Sequence, residues 1–229
     1  TMQLAVVKTE LLKRLETFAT NNGFKIVKKD FALRKVTDSH TAVISFDHNY
    51  WQDEIHLFPY VEIKNHIIHD ICNKNDFHLN YTAFLNLFIL QKIINKEWTK
   101  DTRWQMQYKR KDRFILYSIH DIDSVVQALD ELLPLALDYE KKYSSLNAID
   151  TLYNTEPTYE YNPYCSGRDV YCIIGLIAAR LVNNPQYSAL QMTYSNIVDN
   201  EDFLPETKEA FNRIRLFLGN VDIASVSNN

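Results

Sequence analysis

Near Asp121 the spacing of apolar residues in this chain turns helical and stays so, and that change constrains the fold more than any other feature. Before it, short aromatic and β-branched runs alternate with the period of two that a strand requires. After it, apolar residues recur every three or four positions, as on a helix with one buried face. Residues 24–28 and 31–36 flank Lys29-Asp30 and read as a hairpin, while 41–47 and 55–63 read as two further strands, with Pro59 marking an edge or a bulge. Ahead of them Leu4, Val7, Leu11, Leu15 and Phe18 sit at helical spacing, in a helix that should stop at Gly23, where glycine suits a left-handed cap.

Three later stretches are harder to place. Asn65 can cap a short helix whose apolar positions are Ile67, Ile68 and Ile71. Residues 81–90 are apolar on both faces and are assigned to a strand, although a helix running on through Ile94 has the same pattern. Trp104, Met106 and Tyr108 alternate with Gln105 and Gln107 and read as a strand; Lys109-Arg110-Lys111-Asp112 then forms a hairpin tip before a strand at 114–119. Beyond Asp121 comes a long helix that Pro134 should kink or break, followed by helices carrying Ile149, then Ile173 and Ile177. Asn183-Asn184-Pro185 joins these to helices carrying Leu190, Tyr194 and Ile214.

The expected class is therefore α+β, with a mostly antiparallel sheet and its packed helices in the N-terminal half and an all-helical C-terminal half. Residues 1–229 are expected to form a single domain, 1–120 being the sheet-bearing half and 121–229 a helical half sharing the same core. A chain with 46% hydrophobic residues has enough apolar surface for this, and its net charge of -4 is too mild to name a partner. Cys72, Cys165 and Cys172 are odd in number and lack C-x-x-C spacing, so they read as core thiols of a cytoplasmic protein. The longest apolar run, 84–90, is far short of the roughly 20 residues of a membrane helix, and no membrane contact is expected. Only four glycines occur, too far apart for a dinucleotide fingerprint or a phosphate loop, and no cofactor is expected.

The order of a helix, Gly23-Phe24, a meander ending Phe58-Pro59-Tyr60-Val61-Glu62-Ile63, then Tyr143-Ser144-Ser145-Leu146 and Ala178-Ala179-Arg180-Leu181-Val182-Asn183-Asn184-Pro185 resembles a group of uncharacterised bacterial α+β proteins. Some of these sit beside secreted toxins and are regarded as immunity proteins. The resemblance implies a bacterial, non-enzymatic, protein-binding role, and it brings no catalytic motif with it.

Candidate residues fall in three places. Tyr153, Tyr159, Tyr161 and Tyr164 interleave with Glu156 and Glu160; tyrosines bring contact area and a polar tip, so this segment is the expected interface for a protein partner. Lys109, Arg110, Lys111 and Arg113 lie beside Trp104 and Tyr108, a nucleic-acid surface in the functional reading and a charged tip guarding a sheet edge in the bland one. His66 and His69, three apart on a helix, could face one metal ion, or lie on a solvated face. With Cys165, which has Arg168 close by to lower its thiol pKa, they form the hydrolase alternative. The leading expectation is a protein-binding protein, with the hydrolase second and nucleic acid third; a small-molecule ligand is not specified.

Overall fold

The structure, a computed structural model, describes residues 3–158, 162–165 and 167–220. In chain order it holds α1 (Leu4–Arg14), α2 (Glu16–Asn21), β1 (Lys25–Val27), β2 (Ala32–Val36), β3 (His40–Trp51), β4 (Glu54–Asn65), α3 (His66–Lys74) and β5 (Ala83–Asn86). Then follow α4 (Leu87–Ile94), α5 (Thr102–Tyr108), β6 (Phe114–Leu116), α6 (Asp121–Tyr143), α7 (Leu146–Asn154), α8 (Arg168–Leu181), α9 (Tyr187–Asn200) and α10 (Pro205–Asn220). The fold is α+β, as its apolar periodicity implies.

Contacts divide the chain into two compact units. One takes the described residues up to Thr37, then Thr41–Glu62 and Leu85–Lys141; the other takes Asp38–His40, Ile63–Phe84 and the described residues from Lys142 onward. The expected boundary between residues 120 and 121 is thus not where the contacts divide, because nearly all of α6 belongs with the first unit. Two ion pairs fasten it there: Lys35 of β2 lies 2.9 Å from Glu140, and Arg14 of α1 lies 3.3 Å from Asp123.

The sheet has the order β1-β2-β3-β4-β5, with β6 also paired to β4. β1 and β2 form the expected hairpin, with Ile26 opposite Leu33, and β2 pairs antiparallel with β3, with Leu33 opposite Ile44. Gly23 turns the chain into β1 with φ +75°, and the Phe24 N–H closes the helix end on the Ala19 carbonyl at 2.8 Å. On β4, Ile55, Leu57, Pro59, Val61 and Ile63 are buried on one face, and His56, between the first two, is buried as well. Pro59 does not end the strand, since β6 pairs with β4 only at Ile55, His56 and Leu57 and has stopped before the proline is reached.

Two strand assignments are corrected. Residues 81–94 hold a short strand, Ala83–Asn86, and a longer helix, Leu87–Ile94, switching at Asn86, whose side-chain oxygen accepts from the N–H groups of Phe88 and Ile89 as the N-cap of α4. The one polar residue between Phe84 and Leu90 is the hinge. Residues 102–108 form helix α5, where Thr102 and Met106, four apart, are buried while Arg103, Trp104, Gln107 and Tyr108 are exposed. The alternation of Trp104, Met106 and Tyr108 is real in sequence but fits a helix with a one-residue-wide buried stripe. The Thr102 hydroxyl fixes its start by accepting from the Thr99 N–H at 2.7 Å. Nor does Pro134 break α6, which runs unbroken over 23 residues.

In the second unit α8 is buried without interruption from Tyr171 to Ala179, as a helix apolar all round must be. Ile68 and Ile71 of α3, Ile149 and Tyr153 of α7, Leu190 and Tyr194 of α9, and Phe211 and Ile214 of α10 share its core. Asn183 ends α8 in the left-handed region, at φ 52°, while the Asn184 N–H reaches the Ala179 carbonyl at 2.8 Å.

Candidate binding surface

Within the tyrosine-rich segment, Tyr153 is not a surface anchor. Tyr153 is 0% exposed, its hydroxyl donates to the Thr82 carbonyl at 2.7 Å, and its ring meets Tyr171 edge-on at 5.3 Å. It follows Ile149 by four residues on the buried stripe of α7 and belongs to the core. Tyr164 is half-buried against Tyr143, 5.5 Å between ring centroids, and burial holds its hydroxyl far above the usual tyrosine range. Glu156 has an exposed side chain, and its carbonyl accepts from the Tyr171 hydroxyl at 2.6 Å. Tyr159, Glu160 and Tyr161 lie outside the described residues.

The candidate histidines and Cys165 each bond to other groups. His66 Nδ1 is 3.0 Å from the Asp38 carbonyl, whereas His69 lies 3.2 Å from the Asn73 amide and 3.7 Å from Asp70. Burial, then Lys64, lowers the pKa of His69. Among the described residues no group of three His, Cys, Asp or Glu side chains could hold a metal ion. The buried Cys165 thiol donates to the Gly167 carbonyl at 3.3 Å, and Arg168 is paired with Glu201.

A different picture holds at α5. Trp104 and Tyr108 point directly away from Thr102 and Met106, and their rings stack 5.3 Å apart with only 8° between planes. They are 66% and 74% exposed. Around them Lys100, Arg103, Lys109 and Lys111 are exposed and make no ion pair among the described residues. From Lys92 to Arg113 the chain carries eight basic and three acidic side chains, although its net charge is -4. Positive charge is therefore concentrated in this segment.

Of the four cations expected to act together, two face solvent and two are anchored. Arg110 closes α5 with φ 53°, the Lys111 N–H bonding the Met106 carbonyl at 2.8 Å behind it. Its guanidinium lies 3.0 Å from Glu54 and 5.4 Å from the exposed Trp51 ring. Arg113 bonds Asp112 at 2.7 Å and covers the Phe58 ring at 4.6 Å. His56 Nε2, 2.7 Å from the Glu54 carboxylate, is the main reason that Glu54 titrates below the usual range, with the Tyr117 hydroxyl and Arg110 assisting. Trp51 and Tyr117, both more than half exposed, extend the aromatic surface; sequence spacing missed them because the turn and the strand that bring them to Glu54 are far apart in the chain.

No protein-family model matches the chain, and no curated protein or solved structure does either. The surface must be interpreted from its own chemistry.

Proposed function

We propose that this chain is a non-enzymatic binding protein whose contact surface is the aromatic and basic face formed by α5 and the turn between β3 and β4. Its partner carries dense negative charge. The observation that supports this reading is the exposed, parallel-stacked Trp104–Tyr108 pair flanked by four cations that make no ion pair among the described residues, in a chain that is acidic as a whole. An aromatic side chain that stays in water gains nothing from burial, and a cation that makes no ion pair among the described residues gains nothing from pairing, so folding accounts for neither feature. Anchored Arg110 and Arg113 hold the floor of the surface, while the exposed lysines meet the partner's charge.

Retention on immobilised heparin at neutral pH and low salt tests this. A protein with a sequence pI of about 6.0 should pass through unless its positive charge is segregated. The expected result is retention released by salt, lost in Lys109→Ala/Lys111→Ala. Passage of the unaltered protein in the flow-through would overturn the proposal.

A further inference from the structure

We infer that the partner of this surface is single-stranded nucleic acid, with a base stacked on the Trp104–Tyr108 pair and the adjoining phosphates lying among Lys100, Arg103, Lys109 and Lys111. The inference rests on the binding surface proposed above and assigns its ligand class.

Ring geometry separates the polyanions. Two stacked rings 5.3 Å apart and 8° from parallel, both largely exposed, offer a flat π system to a ligand. An aromatic face is the negative part of the ring quadrupole, so a carboxylate of an acidic protein gains nothing by lying on it. A nucleobase is itself a flat π system and adds to the stack whatever its identity. Duplex DNA or RNA has its base faces already stacked, and could use the lysines but not the rings.

Charge placement agrees with a strand passing across the helix. Lys100 and Arg103 sit at the start of α5 and Lys109 and Lys111 just past its end, with the ring pair between them on the outer side. α5 is seven residues, a span of about 10 Å at 1.5 Å per residue. Cations at both ends of so short an element match a polymer that carries charge at every residue. Glu54 does not repel it, since that carboxylate is occupied by Arg110 and His56.

The experiment is fluorescence anisotropy with a labelled oligothymidylate of about twenty nucleotides, longer than the roughly 4–16 nucleotides of a typical single-strand site. A duplex of equal length and polyglutamate serve as competitors. The expected result is binding to the oligothymidylate that the duplex competes for only weakly and polyglutamate hardly at all. Trp104→Ala and Tyr108→Ala should each weaken it about tenfold, the loss of one stacking contact, with the melting temperature unchanged. Lys109→Ala/Lys111→Ala should lower the slope of log affinity against log salt by about 1.4. Heparin retention combined with duplex binding as tight as single-strand binding, or with affinity indifferent to Trp104→Ala, would overturn this inference and leave the binding surface standing. Heparin retention with binding of polyglutamate alone would assign the surface to an acidic protein. Failure of both heparin and oligothymidylate would remove the surface and its ligand together.

Discussion

The hydroxyl of Tyr194 lies 2.5 Å from the point a Cβ would occupy on Gly175, and the Asn154 side-chain oxygen is 3.0 Å from the same point. Tyr194 donates to that oxygen at 2.5 Å, and the Asn154 amide donates to the Gly175 carbonyl at 2.9 Å. Three helices, α7, α8 and α9, meet where one residue has no side chain.

Gly175→Ala should therefore destabilise the protein, although alanine is the better helix former by about 1 kcal/mol. The added methyl meets a rigid, fully buried ring, and overpacking of this kind costs about 1–3 kcal/mol. Urea unfolding measures it. A midpoint equal to or above that of the unaltered protein would show that α9 moves away freely.

Tyr153→Phe removes one oxygen and leaves the Thr82 carbonyl, now bonded at 2.7 Å, without this donor. A loss of about 1–3 kcal/mol is expected for a buried group so exposed to desolvation. Oligothymidylate affinity should not change, because Tyr153 is in the second unit's core. Weakened binding at unchanged stability would instead return Tyr153 to the interface.

Burial pushes the thiols of Cys72 and Cys172 up to about 12. The thiolate is the reactive form, so about one molecule in ten thousand would carry it at pH 8. A maleimide should leave both residues unlabelled in the native protein and label them in denaturant, as peptide mass spectrometry reports. Rapid native labelling of either would mean that the α8 core opens readily.

Asp121 accepts from the Ser118 N–H at 2.7 Å and the Tyr117 N–H at 2.8 Å, and these bonds hold its carboxyl below the usual range. A carboxylate whose folded pKa is depressed stabilises the fold above its unfolded value of about 3.9, and that contribution is lost as pH falls through the folded pKa. Asp121→Asn should accordingly be less stable near neutrality and converge with the unaltered protein in acid. Denaturation midpoints collected across that range check the sign, and a gap that widens in acid would contradict it.

Much of the fold can be read in the sequence because burial imposes its own period. Ile55, Leu57, Val61 and Ile63 mark β4, and Ile173, Ile174 and Ile177 mark α8. What escapes is decided by single polar contacts or by long-range partners. Asn86 looks like an interruption until its oxygen is seen on the α4 N–H groups. α5 looks like a strand because its buried stripe is only Thr102 and Met106, too few to display a helical period. The candidate surface was half visible: Lys109, Lys111, Trp104 and Tyr108 stand together in sequence, but Trp51 joins Arg110 through a turn some sixty residues earlier. Tyr153 belongs by spacing with Ile149 before it, on the buried stripe of α7, and not with the tyrosines after it.

The chain passes between its two units five times, at Thr37/Asp38, His40/Thr41, Glu62/Ile63, Phe84/Leu85 and Lys141/Lys142. Neither unit is a continuous stretch, so no single crossover in a gene can transplant one without the other, and no single protease cut can release either one whole. For the gene the two are therefore one module, and a frameshift in any of the early strands damages both.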